Sequence, residues 1–122
     1  MKIKEEERGD HTILTIAGTL ALGESTRALL AHFEEAAAER TGAVVLDLSE
    51  LEHLDSTAIG VLVGGLKRFE SQGRRLLLVN PRERVASVFR ITNLDSVFRV
   101  FPTVEGALQA AEISQEDDTS ER

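Results

Sequence analysis

The chain has 122 residues, of which 42% are apolar and 29% charged, values typical of one folded domain. Its formal net charge of -7 and its lack of Tyr and Trp argue against nucleic-acid binding, which needs positive charge and stacking side chains. The absence of cysteine excludes disulfides, thiolate metal ligands and cysteine nucleophiles. No apolar run approaches the roughly 18 residues of a membrane span, and no apolar leader begins the chain. We therefore expect a cytoplasmic protein that does not insert into membranes.

An antiparallel hairpin is predicted at the start of the chain. Residues 2–8 alternate weakly between polar and apolar, whereas residues 12–17 are rich in apolar and β-branched side chains. Gly9 and Asp10 stand between the two runs, where a turn is expected.

A helix is predicted over residues 24–40, because its apolar side chains recur at helical spacing. Ser25 or Thr26 is expected to cap its start, and Gly42 is expected in the left-handed conformation that often follows a helix. The apolar face consists of Leu29, Leu30, Phe33, Ala36 and Ala37.

Two short apolar runs, residues 43–48 and 75–79, have the pattern of strands that are covered on both faces. Between them, residues 57–69 have helical spacing, and Glu50 and His53 lie in the connection that leads into this second helix. The helix is predicted to break at Gln72 and Gly73.

The last third of the chain predicts a short third helix after Pro81, a small strand over residues 97–100 and a closing helix over residues 103–111. Residues 114–122 lack apolar side chains and are expected to form an acidic, disordered tail after a domain of residues 1–113. The apolar residues assigned to the third helix are Val85, Val88, Phe89 and Leu94.

The predicted order is β-β-α-β-α-β-α-β-α. Alternation of buried strands with helices is typical of an α/β fold with right-handed crossovers. We therefore expect a mixed, mostly parallel sheet with the antiparallel hairpin at its start and about four helices.

The segment Asp55-Ser56-Thr57 is a polar cluster directly ahead of a strongly apolar helix. In the simplest interpretation Asp55 is the N-cap and the two hydroxyls occupy the first helical turn. A functional interpretation is compatible with it, because a hydroxyl at a helix start is exposed, oriented by the cap and open to phosphorylation.

Glycines at positions 60, 64 and 65 lie inside the predicted second helix, where each costs about 1 kcal/mol relative to Ala. Gly60 and Gly64 share one face, which suggests a close backbone approach either to the sheet or to a partner. Of these two explanations, packing against the sheet is favoured.

Five segments of the chain have a pattern in common with one known family: residues 44–49, 54–62, 73–81, 91–98 and 105–108. Together they resemble the STAS domain of bacterial anti-sigma factor antagonists, whose hallmark is an Asp-Ser-Ser/Thr/Ala-Gly-Leu-Gly turn. The resemblance covers nearly the whole chain apart from the acidic tail, and implies a STAS-like fold without enzymatic activity or a cofactor.

In that family the Ser after the Asp is phosphorylated by a partner that is both a serine kinase and an anti-sigma factor. The resemblance therefore implies phosphorylation of Ser56, with Thr57 as a secondary candidate, and release of a sigma factor when the unphosphorylated protein binds the kinase. A serine phosphatase is a further implied partner. The implied partner-binding residues are Asp55, Ser56, Thr57, Ala58, Gly60, Leu20 and Ala21.

Two positions depart from the family pattern. Ala58 stands where the family usually has Gly, and Ala21 stands where many members have Asp after the second strand. Some members instead have a Gly-Glu-x-Thr pattern, which residues 23–26 match. The Ala21 departure bears on which sigma pathway or partner surface is used.

The histidines offer little support for a metal site or a catalytic site. His11, His32 and His53 have no metal-ligand spacing and are expected to be solvated surface side chains, so no metal site is predicted. His53 near Ser56 would allow a base and a nucleophile, but closeness in sequence is not the geometry of a catalytic triad. A scaffold of a signalling complex and a cytoplasmic STAS partner of a membrane transporter remain the alternative functions.

Overall fold

A computed structural model describes the backbone of residues 1–120 and the side chains of residues 1–112. The described part contains a six-stranded sheet and four helices. The strands are β1 (Lys2–Arg8), β2 (His11–Leu20), β3 (Val44–Asp47), β4 (Leu51–Leu54), β5 (Leu76–Val79) and β6 (Arg99–Phe101). The helices are α1 (Glu24–Glu39), α2 (Ser56–Ser71), α3 (Glu83–Ile91) and α4 (Val104–Ser120).

The sheet has the strand order β1-β2-β3-β5-β6. Strands β1 and β2 form the antiparallel hairpin, and β3, β5 and β6 follow in parallel. The predicted α/β class, the opening hairpin and the mostly parallel sheet are therefore confirmed.

Strand β4 is absent from the prediction, which treated the segment through Glu50 and His53 as a connection. It pairs in parallel with the last residues of β2, beyond the part of β2 that pairs with β3. Only Leu51 among its four residues is fully buried, and Glu52 and His53 are exposed. A segment this short and polar lacks the sequence pattern of a strand. It is a strand because its backbone pairs with β2.

Helices cover both faces of the sheet. Alternate residues of β3 and β5 point to opposite faces, because side chains alternate along a strand. Leu46 and Leu78 belong to the larger cluster, which includes α1, α2 and α3, whereas Val45 and Leu77 pack with α4. This explains the continuous apolar runs in both strands.

Helix α1 begins differently from the prediction. Its N-cap is Gly23, with a φ of 122°, and no side chain caps the helix. Ser25 Oγ instead donates to the carbonyl of Ala21 and accepts from its N–H, both at 2.9 Å. The hydroxyl of Thr26 donates to the carbonyl of Gly23 at 3.1 Å. Both hydroxyls therefore fix the loop between β2 and α1.

Gly42 is needed for space and not for a left-handed conformation. It is not among the residues with positive φ. A Cβ at this position would lie 2.5 Å from the carbonyl oxygen of Asp10 and 2.6 Å from His11 Nδ1. The predicted left-handed Gly42 is thus wrong, and the glycine instead lets the end of the α1–β3 connection contact the hairpin.

The elements near the C-terminus are confirmed with shifted bounds. Leu94 lies beyond α3, which ends before the left-handed Asn93, with a φ of 60°. Strand β6 begins at Arg99, two residues later than predicted, and α4 continues to Ser120. The backbone of residues 114–120 thus belongs to α4, whereas residues 121–122 and the side chains from 113 onward lie outside the described part. The division into a domain of residues 1–113 and an acidic, disordered tail of residues 114–122 stays a prediction.

Candidate functional site

The Asp55-Ser56-Thr57 turn lies where the carboxyl ends of β2 and β4 meet. The N–H of Asp55 donates to the carbonyl of Leu20, the last residue of β2, at 3.2 Å. Ser56 is the first residue of α2, and Asp55 is its N-cap. The turn therefore connects one strand, the end of a second strand and a helix start.

Asp55 holds two segments with one carboxylate. Its Oδ1 accepts from the N–H of Ala58 at 2.9 Å, which caps α2, and its Oδ2 accepts from the N–H of Leu22 at 2.9 Å. The Leu22 and Ala58 hydrogen bonds lower the pKa of Asp55, because they stabilise the carboxylate. The predicted N-cap is confirmed, and the contact with Leu22 is additional.

Leu22 is a site residue that the sequence analysis missed. Its side chain is 77% exposed, and its backbone is held against Asp55. The neighbouring Ala21 is fixed by Ser25, and Gly23 has positive φ. A large apolar side chain in a three-residue loop directly before a helix is the signal of this arrangement in the sequence.

The predicted site residues differ in exposure. Ser56 and Gly60 are exposed, and Ala21, Asp55 and Thr57 are half-buried. Leu20 and Ala58 are fully buried, so they position the turn and do not reach its surface. The burial of the Ala58 side chain in the core also explains how Ala is accommodated at this position.

Two of the three glycines in α2 have no close neighbour. A Cβ at Gly60 or Gly64 would meet no atom within 4 Å, whereas a Cβ at Gly65 would lie 2.5 Å from Cε2 of Phe33. The prediction that Gly60 and Gly64 pack against the sheet is therefore wrong. The close approach occurs at Gly65, between α2 and α1.

An open groove separates α1 and α2 on their outer side, with a volume of about 500 Å³. It begins at Thr57, and an ion pair between Glu34 and Arg68, 3.1 Å long, lies along it. We call it the α1/α2 groove. Its other lining residues are Leu30, Phe33, Gly60, Val61, Gly64 and Gly65.

Residues 2–107 match the family model described as the STAS domain. The chain belongs to the STAS family. A crystal structure of a putative anti-sigma factor antagonist from Thermotoga maritima has a TM-score of 0.83 and 27% identity, and the match covers 90% of this chain and 94% of that one. The predicted STAS fold is thereby confirmed.

Two curated relatives of this STAS domain match it over shorter lengths. A putative anti-sigma factor antagonist of Thermotoga neapolitana is 42% identical over 66 residues, 54% of this chain and 58% of the relative. A low affinity sulfate transporter of Stylosanthes hamata is 35% identical over 82 residues, which are 65% of this chain but 13% of the transporter. The first match thus spans little more than half of the relative's length.

Replacing Asp55 by Asn is expected to loosen the turn of this STAS domain in a pH-dependent way. Asn keeps one carbonyl oxygen but replaces the other carboxylate oxygen by an NH₂ donor, so only one of the N–H groups of Ala58 and Leu22, which bind different oxygens of Asp55, still faces an acceptor. The lowered pKa of Asp55 means that its contribution to stability is present above about pH 4 and is lost as the pH falls through its folded pKa. Denaturation of both proteins from pH 7 to pH 2.5 measures the difference.

The wild type should be the more stable protein at pH 7, and the difference should shrink below about pH 4. Amide exchange at Leu22 should be faster in the Asp55→Asn variant at neutral pH. A stability difference that stays constant across the whole range would contradict the role given to the Asp55 carboxylate.

The histidines of the STAS domain differ in solvent exposure, whereas all three were predicted to be exposed. His11 is buried, and its Nδ1 accepts from the N–H of Ala43 at 2.9 Å, so the prediction of a solvated surface side chain is wrong there. His53 is exposed, as predicted, and its Nε2 accepts from Arg84 at 3.1 Å. That nitrogen is thus engaged by a residue other than Ser56.

One group of potential metal ligands occurs among the described residues. Glu5, His32 and Glu35 each present a ligand atom within 4.8 Å of the others. His32 Nδ1 lies 2.7 Å from Glu5 Oε1. The pKa of Arg40 is raised, most by its hydrogen bond to Glu7 and further by the Glu5 and Glu35 carboxylates nearby. These contacts explain the group as a polar network between β1 and α1, and the absence of a metal site stays a prediction.

No helix in the described part of the chain is long and apolar enough to cross a membrane.

Proposed function

We propose that this STAS domain is an anti-sigma factor antagonist whose binding to a serine kinase with anti-sigma activity is switched by phosphorylation of Ser56. The observation that carries the proposal is the exposed Ser56 at the first position of α2, between two segments held by Asp55. The names of the Thermotoga relatives support the same class of function.

The helix start at Ser56 suits a hydroxyl that gains and loses a phosphate. Backbone N–H groups and the helix dipole stabilise a negative charge there by up to about 1 kcal/mol. A phosphate adds about -1.5 to -2 charges, which would oppose docking against an acidic or nucleotide-bearing partner surface. The fold is therefore expected to tolerate the modification, while the partner surface changes.

The proposal is tested by incubating the protein with ATP and an anti-sigma-type serine kinase whose gene lies next to the gene for this chain. Mass spectrometry then maps the phosphorylated residue. One phosphate is expected on Ser56 in the wild type and in the matched Thr57→Ala variant. The Ser56→Ala variant should stay unmodified. Phosphate incorporation that persists in Ser56→Ala and disappears in Thr57→Ala would contradict the proposal for Ser56 and identify Thr57 as the phosphorylated residue.

A second candidate function is supported by the match to the sulfate transporter, which covers most of this chain but a small part of that protein. In that case the domain would act beside a transporter at the membrane surface. A permease gene next to the gene for this chain, in place of a kinase and a sigma factor, would favour this candidate. Co-purification with that permease would test it.

A further inference from the structure

The α1/α2 groove has an apolar floor that is left open by two glycines. Gly60 and Gly64 are exposed, lie one helical turn apart and would meet no atom within 4 Å if each carried a Cβ. Each costs helix stability without any contact inside the domain that requires it. The missing side chains keep the groove free for atoms from outside the domain.

The groove is continuous with the Ser56 turn. Thr57 lines the groove and is the residue after Ser56 in the first turn of α2. A stable interface buries about 800 Å² on each partner, far more than a turn of three residues offers. A kinase that docks on Ser56 must therefore cover neighbouring surface, and the groove is an extended apolar surface that begins at this turn.

The chemistry of the groove favours an uncharged, apolar occupant. Leu30 is 48% exposed, and Val61 is half-buried. The two charged lining residues, Glu34 and Arg68, are paired with each other at 3.1 Å. Two glycines one turn apart on a helix also permit the close approach of another helix.

We propose that the α1/α2 groove binds an apolar helix face of the same kinase that phosphorylates Ser56. The inference rests on the proposed function and adds to it a second contact region, centred on Gly64. The groove would supply affinity, whereas the Ser56 turn would supply the switch. A kinase helix bound there would present apolar side chains at helical spacing.

Filling the groove tests the proposal directly. The Gly64→Leu variant should bind the neighbouring anti-sigma-type kinase at least about tenfold more weakly than the wild type and should be phosphorylated correspondingly slowly at low concentration. Gln109→Leu is the matched control, because it places an exposed Leu on α4, on the opposite face of the sheet. Calorimetry and initial phosphorylation rates measure both effects.

The smaller substitution Gly64→Ala distinguishes a loss of binding from a loss of folding. Gly64→Ala should raise the thermal midpoint, since a helix favours Ala, and yet weaken kinase binding measurably. A variant that is more stable and binds less well cannot owe its loss to unfolding.

The outcomes separate the two proposals. Equal kinase binding by wild type, Gly64→Leu and Gly64→Ala overturns the groove proposal and leaves the Ser56 switch intact. Loss of self-association in Gly64→Leu with unchanged kinase binding also overturns it, and assigns the groove to a second copy of the chain. No binding by the wild type overturns both.

Discussion

Replacing Ser56 by Asp is expected to weaken kinase binding by roughly 30-fold or more, while the domain stays folded. An unpaired charge that is desolvated in an interface costs about 2 kcal/mol or more, which corresponds to that loss in affinity. The same charge is tolerated in the free domain, because Ser56 is exposed at the start of α2, where the helix dipole favours an anion. Titration calorimetry with the kinase measures the loss.

Ser56→Asn is the matched control, because it has nearly the same shape as Asp without the charge. It should bind the kinase within a few-fold of the wild type and should not be phosphorylated at that position. Equal binding by the Asp and Asn variants would show that charge at Ser56 does not control docking, and the switch would have to be abandoned.

Adding one methyl group at Gly64 or at Gly65, in two separate variants, is expected to have different effects on stability, although Ala favours the helix by about 1 kcal/mol at both positions. At Gly65 the new Cβ would lie 2.5 Å from Phe33, which is buried and packs edge-on against Phe69 with ring centroids 5.7 Å apart. Such overpacking costs about 1–3 kcal/mol. At Gly64 the methyl group meets no atom within 4 Å, so helix propensity should stabilise the domain by about 1 kcal/mol.

Because the gain in helix propensity is common to both variants, their stabilities should differ by the overpacking cost alone, about 1–3 kcal/mol, which is roughly 4–12 °C in thermal midpoint for a domain of this size. Circular dichroism melts in the same buffer measure the difference. Equal midpoints would contradict the different surroundings assigned to these neighbouring glycines, and would also remove the stability argument from the groove proposal.

The amino-acid sequence by itself determined the order of most elements and the place of the candidate site. Apolar residues at helical spacing in α1 and α2 and continuous apolar runs in β3 and β5 are local patterns, and each element has a buried face that requires such a pattern. The cap at Asp55 was predictable for the same reason, since an N-cap contacts a residue only three positions away. The family resemblance then gave Ser56 its proposed role.

Contacts between distant segments were decided only by the tertiary structure. Asp55 accepts from Leu22, which is 33 positions away, and β4 exists because β2 pairs with it. Arg74 looks like a surface charge in the sequence, but it is buried over the ring of Phe69, and its Nε donates to the carbonyl of Gly42.

For the glycines of α2, too, the sequence predicts one property and only the tertiary structure determines another. Local propensity shows that Gly60, Gly64 and Gly65 are unfavourable in a helix, but not which of them has a neighbour. Only the packing of α1 beside α2 places Phe33 against Gly65 and leaves Gly60 and Gly64 open. The spacing of apolar residues along a helix predicts which of its faces is buried. The side chains that contact that face come from distant parts of the sequence, so only the tertiary structure determines them.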